Sequence, residues 1–219
     1  MSSYTFHNRS EAGRALAREL SRYADRPDVV VLALPRGGAP IGFEIARALH
    51  APLDVFLVRK LGAPQYEELA MGAIASGGTR VLNESVVDQL RITAEEIEEV
   101  SQRERRELER REQAFRNGRA LIPVSDRICI LVDDGLATGS TMRAAVMALK
   151  KQNPKRIVVA VPVASADTCA EFEPLVDEIV CLYTPEPFMA VGRWYDDFAQ
   201  LTDEQVRDYL ERAMHEMAH

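Results

Sequence analysis

The chain has 219 residues, 47% of them hydrophobic, and a formal net charge of -7. That length holds one domain of good size, or a core domain with an added flap. The hydrophobic share excludes a disordered chain, and the acidic balance argues against a general nucleic-acid binder, which carries a basic face.

Residues 10–23 carry Ala12, Ala15, Leu16, Leu20 and Tyr23 at helical spacing behind a candidate N-cap, Ser10, which predicts a helix. DVVVLAL (28–34) is a continuous β-branched run between Pro27 and Pro35. This is the pattern of a strand buried on both faces of a parallel sheet. Arg36-Gly37-Gly38 follows, then an expected helix over 40–50 and a second strand over 53–59, LDVFLVR. Short connections in the order β–loop–α–β predict an open α/β fold. Residues 62–83 are Gly-punctuated runs (MGAIASGG, TRVLN) expected to form a hairpin. Residues 93–119 include EEIEEVSQRERRELERREQAFRNGR, a long helix with a thin apolar stripe of Ile97, Val100, Leu108 and Phe115. Its acids and bases nearly balance, so it reads as a solvated helix laced with i,i+4 ion pairs rather than as a basic surface. The stripe is too sparse for a sustained heptad. The α/β pattern then returns, with strands at 127–132, 156–163 and 178–183 and helices at 140–152 and 166–175. An aromatic-rich tail, EPFMAVGRWYDDFAQL, leads to a closing helix at 202–214.

The N-terminus shows no apolar signal-peptide core, and no apolar run approaches membrane-spanning length, so a cytoplasmic protein is expected. Cys129, Cys169 and Cys181 are odd in number and far apart in the chain, and two lie in the apolar runs RICILV and EIVCLY. They read as reduced, mostly buried thiols without metal-type spacing. The four histidines are scattered, with two in the last five residues, so histidine catalysis is not expected.

The chemistry concentrates in ILVDDGLATGST (130–141). Three apolar residues, Ile130 to Val132, run into Asp133 and Asp134, and the loop after them opens a helix. Backbone N–H groups and the dipole at such a helix start favour a phosphate. Gly135 and Gly139 permit close approach, and Thr138, Ser140 and Thr141 add hydroxyls. Neither the Walker A pattern nor the dinucleotide fingerprint is present. Carboxylates repel a phosphate but accept hydrogen bonds from vicinal hydroxyls, so a sugar phosphate accounts for both halves of the motif. Paired carboxylates also help to hold Mg²⁺, directly or through water.

This stretch resembles the phosphoribosyl-pyrophosphate (PRPP) signature of the type I phosphoribosyltransferases. LPRGGAP (34–40) is similar to the family's pyrophosphate loop, which often carries a non-proline cis peptide, here expected at Pro35–Arg36 or Arg36–Gly37. LVRKLGAP (57–64) looks like the strand end where cations reach pyrophosphate in adenine-type members, here Arg59 and Lys60. The tail resembles the stretch in which an aromatic ring stacks on the acceptor. Phe188 takes that role, with Asp196 or Asp197 beside it and Trp194 and Tyr195 as rivals or core residues. The resemblance implies an α/β type I phosphoribosyltransferase fold in one domain over 1–219: a mostly parallel sheet flanked by helices, a flexible flap within 62–119 and a small hood over 184–219. It implies Mg²⁺-dependent transfer of 5-phosphoribosyl from PRPP to a nitrogen acceptor, as in nucleobase salvage, by a homodimer with no nucleic-acid or membrane partner. Mg²⁺ would be bound mainly through PRPP and water. Asp133 and Asp134 would hold the ribose hydroxyls. Ala137, Thr138, Gly139, Ser140 and Thr141, after Gly135, would hold the 5-phosphate. Arg36, Gly37, Gly38, Arg59 and Lys60 would hold the pyrophosphate, and Glu67 or Glu68 in the flap is a candidate acid/base.

Two departures narrow this. Ala137 stands where some purine-type members carry a third acid, and VPVASADT (161–168) lacks the Lys with which 6-oxopurine members read the ring oxygen. Two other readings stay open: a PRPP-sensing regulator of the same fold without transfer, and a phosphatase or nucleotidase, which would usually need D-x-D where this chain has DD.

Overall fold

Strand β1 (Val29–Ala33) is buried at all five positions, as its unbroken apolar run requires of a strand covered on both faces. It is an inner strand of a parallel sheet in the computed structural model, which describes residues 5–217. Residues 1–4 and 218–219, at the ends of the expected 1–219 domain and including His219 and the start of the N-terminal stretch read for a leader, lie outside the described residues. β2 (Leu53–Val55) flanks β1 on one side; β6 (Ile128–Val132), β7 (Arg156–Val163) and β8 (Glu178–Tyr183) follow on the other, giving the order β2-β1-β6-β7-β8. Val31 faces Ile130, and Ile130 faces Val158.

Alternation along the strands divides the core into two layers. Val29, Val31, Ile128, Ile130 and Val132 pack under α1 (Arg9–Glu19), α2 (Gly38–Leu49) and α7 (Asp203–Met217). Val30, Leu32, Cys129 and Leu131 face the opposite way, under α5 (Ser140–Lys150) and Phe172 of α6 (Ala166–Phe172). The α/β sheet flanked by helices is therefore as the sequence predicts.

The structure corrects several expectations. Asn8, not Ser10, caps α1, its side chain accepting from Glu11 N. The run over 53–59 is not one strand. Phe56 N makes a last bond to Ala33 O at 2.9 Å; the chain then leaves the sheet, and β3 (Val58–Ala63) pairs antiparallel with β4 (Tyr66–Ala75). Phe56 and Leu57 are buried in both settings, so hydrophobicity carries no mark of the break. β5 (Thr79–Leu82) makes the expected hairpin a three-stranded sheet. A short helix, α3 (Glu84–Leu90), is not expected from the sequence; seven residues are too few to show a period.

α4 (Ala94–Arg116) starts at a capping box of Thr93 and Glu96. Its stripe of Ile97, Val100, Leu108 and Phe115 is buried in the core, and Glu107 pairs with Arg110 and Arg111 at i,i+3 and i,i+4. Reading it as a solvated helix misses Arg116. That side chain is 6% exposed, its Nε donates to Asp54 Oδ1 at 2.8 Å, and Nη2 donates to Val55 O at 2.9 Å.

The three thiols are free, and burial pushes Cys129 up to about 12. Cys169 and Cys181, distant in the chain, are hydrogen-bonded neighbours between α6 and β8, and both are only half-buried. Among the described residues no helix is long and apolar enough to cross a membrane.

Candidate functional site

The connection from β1 through α2 to β2 steps to one side of the sheet, and that from β6 through α5 to β7 steps to the other. The adjacent carboxyl ends of β1 and β6 therefore flank a topological switch point, where an open α/β sheet leaves a crevice for a ligand. The loop after β1 carries Pro35, Arg36 and Gly37, and Gly38 opens α2. The loop after β6 carries Asp133 to Gly139.

The two loops meet closely. The Pro35–Arg36 peptide is cis, one of the two positions expected. A Cβ on Gly37 would lie 2.1 Å from Asp134 Oδ2, and one on Gly38 would lie 2.5 Å from Val132 O. No larger side chain fits there without displacing the second carboxylate or the strand backbone.

Asp133 Oδ1 accepts from Asp134 N at 2.8 Å. Burial, and then the neighbouring Asp134 charge, raise the Asp133 pKa well above the usual carboxylate range. Burial also raises Asp134, with Arg9 opposing it. Arg9 Nε donates to Asp134 Oδ2 at 2.9 Å, with the two side chains only 11% and 16% exposed. A second Arg9 nitrogen donates to Ala199 O, and the guanidinium sits 3.9 Å from the Phe198 ring centroid. Tyr195 OH donates to Asp134 O at 2.6 Å. Arg9 thus joins α1, the second acid and the C-terminal tail at Phe198 and Ala199. It lies 125 residues from Asp134, and no local pattern in the sequence points to it.

The phosphate-type loop is held from below. Leu136 N donates to Val163 O, Thr168 Oγ1 donates to Ala137 O, and Gly135 packs against Val191 and Val163. Gly139 stands at the α5 N-cap with φ +68°, and a Cβ there would meet the Phe172 ring at 2.7 Å. Ala137, Thr138, Ser140 and Thr141 are exposed on the rim, with the Thr138 and Ser140 hydroxyls 3.0 Å apart. The amides at the start of an eleven-residue helix favour an anion there; Thr141 lines the cavity it shares with Arg36, whereas Ser140 borders a separate one beside β4 and β5.

The cations are distributed less simply. Arg36 and Arg59 line one small cavity of about 70 Å³ together with Thr141, whereas Lys60 is not among the residues lining it. Adjacent residues of a strand project to opposite faces. Lys60 lies beside exposed Glu67 and Glu68 in another cavity, which Arg59 also borders. Each cation has an acidic partner: Arg36 with Asp203 at 2.8 Å, Arg59 with Glu104 at 2.6 Å and Lys60 with Glu68 at 3.6 Å. Glu67 and Glu68 are not brought to the paired acids.

Phe188 is half-buried and packs on the small core formed by Phe6, Ala12, Val163 and Tyr195. Tyr195 is 6% exposed and belongs to this small core, and Trp194 packs on its edge. Asp196 accepts from Thr5 and Asp197 from Ala199 N.

Among the described residues no group of three or more His, Cys, Asp or Glu can hold a metal. Asp133 and Asp134 supply hard oxygen donors that suit Mg²⁺ as partial or water-mediated ligands, the remaining positions being left to a bound sugar phosphate.

The phosphoribosyl transferase domain family matches residues 4–182. Two Mycobacterium tuberculosis proteins, provisionally named phosphoribosyl transferases MT0597 and Rv0571c, are each 46% identical over 213 residues, or 97% of this chain. The chain spans about half the length of these curated relatives, 48% of each. The solved structure of TT1426 from Thermus thermophilus is similar at 40% identity and a TM-score of 0.83, over 95% of this chain and 98% of that one.

Proposed function

This chain belongs to the phosphoribosyl transferase domain family, and on that premise we propose that it transfers the 5-phosphoribosyl group of PRPP to a nitrogen acceptor, releasing pyrophosphate. One observation carries the reading. At the switch point, a loop with Arg36 and a cis peptide touches a loop that joins paired carboxylates to a helix start. A ligand with vicinal hydroxyls between two phosphate groups suits that arrangement, and a plain phosphate does not.

Asp133 and Asp134 accept the ribose hydroxyls, with Arg9 fixing the orientation of Asp134. Ala137 to Thr141 bind the 5-phosphate through amides and hydroxyls. Arg36, Gly37, Gly38 and Arg59 meet the pyrophosphate; Lys60 reaches it only by leaving Glu68. Bound Mg²⁺ would neutralise part of the diphosphate charge. As the C1′ bond breaks, positive charge develops on the ribose and negative charge on the leaving group. The guanidinium of Arg36 and the loop amides stabilise the latter. Phe188 stacks on a nucleobase-like heterocycle. A homodimer in the cytoplasm, acting in nucleotide salvage, belongs to the same proposal.

The test is pyrophosphate release from PRPP and Mg²⁺ across free bases, nicotinate, orotate and simple amines. Release is expected with one acceptor, and none from Asp133→Asn combined with Asp134→Asn, whose circular dichroism should match wild type. Near-normal turnover by that variant would overturn the ribose assignment. A PRPP-sensing regulator is the second reading. It is favoured by the acidic partners already on Arg36, Arg59 and Lys60. PRPP binding without release across the whole panel would select it.

A further inference from the structure

We propose that α4 supplies a third guanidinium, Arg111, to the pyrophosphate pocket, so that the charged helix forms a wall of the binding site. This rests on the phosphoribosyl reading above and extends it to a residue outside the motifs that carry the resemblance.

The small cavity between the loop after β1, strand β3 and α4 is lined by Arg36, Arg59 and Arg111, with Thr141 of the phosphate-type loop at its edge and Phe56 and Phe115 among its apolar walls. Three guanidiniums from three separate elements converge on a space that also meets the first turn of α5. Arginine forks match the oxygens of a diphosphate, and several together suit a ligand carrying more than one negative charge.

The position of Arg111 is set by buried anchors rather than by its own mobility. Phe115 lies one turn further on, on the same face, and is 3% exposed. Arg116 ties the end of α4 to Asp54 of β2. Arg111 therefore stays at the cavity for as long as the helix stays packed.

Each of the three guanidiniums is held by a carboxylate of the chain: Arg36 by Asp203, Arg59 by Glu104 and Arg111 by Glu107 at 2.8 Å. Release of Arg111 leaves no orphaned acid, because Arg110 also binds Glu107 through two nitrogens at 2.8 and 2.9 Å. Glu107 is held down to about 2, first by Arg110 and then by Arg111, so it remains an ion when Arg111 turns to the ligand. Glu104, Glu107 and Arg111 recur at i, i+3 and i+7 along one stripe, with Glu104 on Arg59 of β3 and Arg111 at the cavity.

The experiment is titration calorimetry of inorganic pyrophosphate with Mg²⁺, and separately of PRPP, into wild type, Arg111→Gln, Arg111→Lys and Arg106→Gln. We expect at least tenfold weaker pyrophosphate binding in Arg111→Gln, partial recovery in Arg111→Lys and wild-type binding in Arg106→Gln, which removes an exposed charge from the same helix but not from the cavity. Thermal midpoints should match across all four proteins. Wild-type affinity in Arg111→Gln, or an equal loss in Arg106→Gln, would overturn the assignment of Arg111 while leaving the family reading intact. Failure of the wild-type protein to bind PRPP at all would instead remove the reading on which the assignment rests.

Discussion

Asp133 is a half-buried carboxyl next to a second acid, and desolvation holds its folded-state pKa well above the ~3.9 of an unfolded aspartate. The folded chain therefore holds that proton more tightly than the unfolded chain. The stabilising contribution is complete below the unfolded pKa and is lost as pH rises through the folded one. At pH 7, above the unfolded pKa, part or all of that contribution is gone, so Asp133 is a burden on the fold, retained for what it binds. Asp133→Asn should therefore melt higher than wild type at pH 7 and no higher at pH 3.5. A lower midpoint at pH 7 would show that the carboxylate contributes to stability. The sequence displays the two acids plainly. It does not display Arg9, which offsets their charge from the other end of the fold, nor the hydroxyl of Tyr195 on the Asp134 carbonyl. Tyr195 is legible as an aromatic near the hood, but its contact with the acid depends on how the tail folds back over Phe6.

At the scale of elements, α4 shows what a thin stripe conceals. Charge balance along the string 95–119 points to solvent, and most of its ion pairs lie there. The decisive residue is Arg116, whose partner Asp54 also accepts from Val55 N at 2.8 Å and Ile122 N at 3.0 Å. Removing one partner of a buried pair leaves the other uncompensated and costs about 3–5 kcal/mol. Arg116→Met should thus lower the midpoint by roughly 6–20 °C in a domain of this size. A shift of a degree or two would mean that solvent reaches Asp54 in the folded protein. No local pattern in the sequence signals this pair, because 62 residues separate the two charges. The split of the 53–59 run into β2 and β3 has a similar cause. Apolar residues serve equally well in the parallel sheet and in the small antiparallel one, and the change of sheet follows from which backbone partners are within reach.

Over the whole molecule, sheet order turns separate motifs into one crevice. A ligand that binds this crevice only in the folded chain should stabilise it by mass action. At about 100 times its dissociation constant, PRPP with Mg²⁺ should add roughly 2.7 kcal/mol, or about 5–11 °C in melting temperature. A flat melting curve in saturating PRPP would contradict the proposed ligand. The sequence by itself determined the α/β class, the central strands and the stretch 130–141. Those signals are local: buried strands need unbroken apolar runs, and a phosphate-type loop needs small residues at a helix start. Only the tertiary structure decided that Arg9 sits on Asp134, that Arg36, Arg59 and Arg111 share a cavity while Lys60 does not, and that Gly37 must stay bare beside a carboxylate. Those facts depend on crossovers, strand faces and distances between residues far apart in the chain, which chain order does not encode.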